Sequence, residues 1–247
     1  GLARCGQLYA STARTGVSTR TSGDAMSTVQ HTCVDQSCLL LRRSSHETKH
    51  DGVERTARRS WHLGTIVEGA YEALDMQIEV KGVESSRRYG AFLRVLYLLQ
   101  RDLDAVYGRP DLRVLAADRH HRRQLLKLEY ALSALGVSFP PITNQRLSAS
   151  TTWASVTGWL FVGEATNLYA AILYRLIQRR RPRQRDESCN RLQAYLFDAP
   201  EAVDRRWRST ARALDEALLS PQEEKELLWG TKEAVQQLRR YVEAELR

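Results

Sequence analysis

Gly158-Trp159-Leu160-Phe161-Val162-Gly163-Glu164-Ala165-Thr166-Asn167-Leu168-Tyr169-Ala170-Ala171 is the stretch on which the reading of this chain turns. It sits inside a helix predicted over about 150–180. Helical periodicity spreads outward from it in both directions. Upstream, one helix is expected over 53–79, with Trp61, Ile66, Val67, Ala70, Leu74 and Ile78 along one side. A second is expected over 86–107, where Tyr89, Phe92, Leu93, Leu96, Leu99, Leu103 and Val106 follow three-four spacing. Ser85 and Ser86 are suited to cap its start, and Gly108 and Pro110 stop it. A third is predicted over 111–135, ending at Gly136. The run Ser138-Phe139-Pro140-Pro141 is a rigid connector that no helix can cross. Downstream, a helix is expected over 200–218 and a last one over 221–246. The last opens with Ser220-Pro221-Gln222-Glu223, a capping residue followed by a first-position proline and acids. No strand alternation competes, and neither an internal repeat nor a sustained heptad is present. The fold class is all-α.

Composition agrees with one large helical domain plus an extension. The chain has 247 residues, 43% of them hydrophobic, which is enough for a core. Residues 1–52 form a basic, Ser/Thr/Arg-rich extension without helical period, and 53–247 the helical domain. The extension starts at Gly1 and resembles an organellar transit segment, or the start of a mature chain after one was removed; a mitochondrial location is expected ahead of a plastid one. Four cysteines are too few for a disulfide scaffold at this length. No apolar run reaches the roughly 18 residues of a membrane-spanning helix, so a soluble or peripheral protein is expected.

The net charge of +8 favours acidic partners. Its densest expression is Arg179-Arg180-Arg181-Pro182-Arg183-Gln184-Arg185, at the end of the central helix, where cations also favour the macrodipole. Nucleic-acid surfaces usually interleave aromatics with such charges, and none are present here. A contact with other protein subunits is the favoured reading, an anionic membrane surface the second, and nucleic acid is disfavoured.

Metal chemistry finds little support. His31, Cys33, Cys38, His46 and His50 are close in sequence, but the four-residue gap between the cysteines is loose for zinc. His120 and His121 are adjacent and face apart on a helix, so they do not chelate one ion. A carboxylate-bridged diiron site needs Glu-x-x-His pairs on facing helices, and His62, His120 and His121 do not supply them. There is no phosphate loop and no nucleophile elbow.

The opening stretch resembles the distal, haem-covering helix of bacterial-type haem oxygenases, which reads close to Gly-Trp-Leu-Phe/Tyr-Val-x-Glu-Gly-Ser-x-Leu-Gly-Ala-Ala. The resemblance extends over roughly 65–245. Tyr89 to Tyr107 is similar to the family's second helix, Leu132 to Gly136 with the proline pair to its connector, and Ala211 to Glu224 to its penultimate turn. It implies an all-helical bundle with haem between a proximal helix carrying one histidine and a glycine-kinked distal helix, and an activity that converts haem to biliverdin, CO and iron.

Against that pattern, the second distal glycine is Ala165 and the third is Tyr169. Glycines there let a helix backbone lie on a flat cofactor. A phenol instead fills that volume. A gap-free alignment anchored on Tyr89 and Phe92 puts the proximal histidine at Ala70, whose methyl cannot coordinate iron. His62 lies eight residues upstream, about 12 Å along a helix; it would be the haem ligand if the chain is an active haem oxygenase. Tyr169 is itself a conceivable iron ligand, but it would need a cation to depress its pKa, so a core-filling role is preferred. The resulting expectation is a non-catalytic, haem-oxygenase-like accessory subunit of a larger organellar assembly, without cofactor. The alternative is an active haem oxygenase with haem.

Overall fold

A computed structural model of the chain describes residues 59–79, 86–112, 124–141, 147–148, 150–180 and 200–246. The extension, the Cys/His tail, His120, His121, Arg181, Arg183 and Arg185 lie outside the described residues. Six α-helices make up the described part: α1 (Arg59–Glu79), α2 (Ser86–Asp104), α3 (Leu125–Ala134), α4 (Trp153–Arg180), α5 (Pro200–Glu216) and α6 (Pro221–Leu246), with a 3-10 turn at Pro110–Leu112. There is no strand among the described residues.

Local chemistry sets the helix ends. Thr152 opens α4, its hydroxyl accepting the Ser155 N–H at 3.4 Å. Ser220 and Glu223 form a reciprocal capping box on α6: the Ser220 N–H donates to the Glu223 carboxylate at 2.8 Å, and the Glu223 N–H to the Ser220 hydroxyl at 3.3 Å. α3 ends in a Schellman motif, with Val137 N–H on the Leu132 carbonyl at 2.9 Å, Gly136 N–H on that of Ser133 at 3.1 Å, and Gly136 at φ 64°. The start of α1 is held from a distance. The Asp215 carboxylate, at the end of α5, accepts the Ser60 N–H at 2.8 Å and the Ser60 hydroxyl at 2.7 Å. Arg59 meanwhile pairs with Glu224.

α4 is the hub. It is apolar almost all round, the pattern of a helix enclosed by others, and Ala154 to Thr166 are all buried. It packs against α6, α5 and α2, while α1 and α2 also lie on α6. The α4–α6 crossing is closed by glycines. A Cβ on Gly158 would stand 2.5 Å from the Leu227 carbonyl, and one on Gly230 would stand 2.1 Å from the Ser155 carbonyl. Both neighbours are backbone, which cannot give way. The long-helix pattern is thus as expected from the sequence, with two differences. In the stretch expected as one helix over 111–135, a 3-10 turn spans Pro110–Leu112 and an α-helix Leu125–Ala134, and residues 113–123 lie outside the described ones. Trp61, expected on the inner side of α1, is 47% exposed; Leu63, Val67, Ala70, Tyr71 and Leu74 form the buried stripe instead.

Candidate functional site

Tyr71 of α1 meets Thr166 and Tyr169 of α4, and Ala70 and Ala165, the positions singled out in the sequence, are buried. Ala165 and Tyr169 are four residues apart and so share one face of their helix. The Tyr71 and Tyr169 rings stack in parallel, centroids 5.0 Å apart and planes 5° from coplanar. Thr166 spends its hydroxyl proton on the Val162 carbonyl one turn back, at 2.8 Å. That leaves the Tyr71 phenol to donate to the Thr166 oxygen at 3.0 Å. Burial holds the Tyr71 phenol well above the ordinary tyrosine range, and the bond to Thr166 opposes this only in part. The phenol is therefore a neutral donor.

Tyr71 went unnoticed in the sequence although it lies four residues after Val67 and three before Leu74. That spacing alone puts it on the inner stripe. His62 stands on the exposed side of α1, where its carbonyl accepts a bond from the Thr65 hydroxyl at 2.7 Å. Arg179 and Arg180 belong to the last turn of α4.

A second polar group lies between α2, α4 and α6. Asp102 is fully buried and accepts the Tyr241 hydroxyl. Burial first, then the Asp102 bond and charge, push the Tyr241 phenol up to about 12. The Gln100 amide donates to the Asn167 side-chain oxygen at 3.1 Å, and Glu164 is buried on the same helix. Among the described residues no cluster of three or more His, Cys, Asp or Glu is arranged to hold a metal ion. No described helix is long and apolar enough to cross a membrane.

The helical fold has a counterpart among solved structures. The described helices are similar to those of the NO- and CO-bound heme oxygenase from Neisseria meningitidis, with a TM-score of 0.62 over 77% of this chain and 93% of that one, at 20% identity. The fold is the haem oxygenase fold. No family model matches the sequence, and no curated protein is detectably similar to it. The stacked tyrosines lie between α1 and α4 of this fold.

Proposed function

We propose that this chain is a non-catalytic protein on a haem oxygenase fold, serving as an accessory subunit in a larger, organellar protein assembly. One observation carries the reading: the space between α1 and α4 is taken by a parallel tyrosine pair, both rings buried. The residues there do not fit haem. Ala70 offers a methyl where an imidazole would be needed. The buried Tyr71 and Tyr169 rings fill the space between the two helices, and burial disfavours the phenolate of Tyr71. His62, the ligand required by the active-enzyme alternative, would have to turn in from the exposed face of α1.

With no chemistry assigned to the interior, the surface is left as the working part. The basic extension and the arginine run after α4 supply contacts for acidic neighbours, and the Ser/Thr/Arg-rich composition of the extension is what supports a mitochondrial location. The test is direct. Full-length protein supplied with haem, O2 and an electron-donating reductase is expected to form no biliverdin. The tagged chain is expected to co-purify with stable partners from its organelle. Biliverdin formation that disappears in His62→Ala would establish the active enzyme instead.

A further inference from the structure

At the far end of α4 from the arginine run, the N-terminus of α4 and one face of α6 enclose an open groove of about 540 Å³. Trp229 stands in it at 69% exposure, while Trp159 and Trp207 are buried in the core. A large exposed indole in a concave site is the side chain that most often anchors a partner. Glu226 lies three residues before Trp229 and Glu233 four after, so both carboxylates share its face. Each is held by a neighbour: Glu226 accepts the Gln222 amide at 2.8 Å, and Glu233 accepts the Trp159 indole N–H at 3.3 Å. Lys225 also lines the groove, so its formal balance is two negative charges against one positive.

We propose that this groove docks an arginine-bearing segment of a partner protein. A guanidinium is planar, stacks on an indole face and takes carboxylate oxygens in a fork, three properties an ammonium lacks in combination. The groove is locally acidic on a chain of net charge +8, so global attraction does not explain capture of a cation there. The inference rests on the protein-contact reading above for the class of occupant, and locates the surface.

The probe is a capped peptide of alternating Gly and Arg, compared with its Gly and Lys counterpart. Both are titrated into the full chain while the indole N–H resonances are followed by NMR. The Trp229 resonance is expected to shift and those of Trp159 and Trp207 to stay, with the lysine peptide about tenfold weaker. Trp229→Ala is expected to abolish binding. The pair Glu226→Gln and Glu233→Gln, which keeps an acceptor oxygen for Gln222 and for Trp159, is expected to weaken it by about tenfold or more. A silent Trp229 resonance, or unchanged binding in the double glutamine variant, overturns the proposal. A chain that takes up haem and still shows the Trp229 response supports this site while overturning the function reading. A chain inert to both overturns this site alone.

Discussion

Truncating Tyr169 to alanine probes the packing between α1 and α4 in one step. The side chain is 1% exposed, so nearly all of its surface is withdrawn from water. An aromatic of this kind buries about 150–250 Å². At about 25 cal/mol per Å², that corresponds to about 4–6 kcal/mol as an upper bound. Removing aromatic rings from close-packed cores costs about 3–5 kcal/mol, and the face lost by Tyr71, 5.0 Å away, belongs to the same cost. For a domain of this size each kcal/mol moves the midpoint by about 2–4 °C, so a fall of about 6–20 °C in Tm is expected. Tyr169→Phe, which keeps the ring, is the control and should lose far less. Thermal unfolding followed by circular dichroism reads both. If the ring instead projects into a porphyrin-sized gap, it has little to lose. A cost under about 1 kcal/mol for Tyr169→Ala would then refute the claim that the slot is packed.

Three further outcomes follow from the same structure. Tyr71 and Tyr241 both have phenols raised by burial, so their stabilising effect is complete below the unfolded value near 10 and is lost as pH rises through the folded values. Urea unfolding between pH 7 and 11 should therefore show stability falling above pH 10 by up to about 1.4 kcal/mol per unit per phenol; Tyr71→Phe should flatten that fall, and equal slopes would contradict it. Gly230→Ala places a methyl 2.1 Å from the Ser155 carbonyl and is expected to cost about 3 kcal/mol or more, read as a collapse in Tm; an unchanged Tm would mean that α4 and α6 do not cross so closely. Ser220→Ala removes the hydroxyl that caps α6 and should cost about 1 kcal/mol by chemical denaturation, with no change in spectra of the core aromatics.

Much of the fold was legible because its signals are local. The Ser220-Pro221-Gln222-Glu223 run needs only its own atoms to cap α6, and Gly136 only its own φ to stop α3. The central stretch around Trp159 carried a helix and a family likeness in one place. What sequence could not give depends on distant partners. α1 is nearly as apolar on one side as on another, with Trp61, Leu63, Ile66 and Val67 in close succession. Which of them faces inward is decided by α6 and α5, and Trp61 loses. The Asp215 clamp on Ser60 joins residues 155 apart in sequence. At the candidate site, Tyr169 stood out because it interrupts a glycine pattern. Tyr71 did not, because nothing in the local sequence shows that the two phenols would stack.

Haem titration of the full-length chain, followed at the Soret band, bears most directly on the tyrosine-filled slot. The account predicts a spectrum that stays that of free haem through the micromolar range. It also predicts that opening the slot with Tyr169→Gly together with Ala70→His creates a bound-haem band that the parent lacks. A sharp, stoichiometric, histidine-ligated Soret band from the unmodified chain would contradict it.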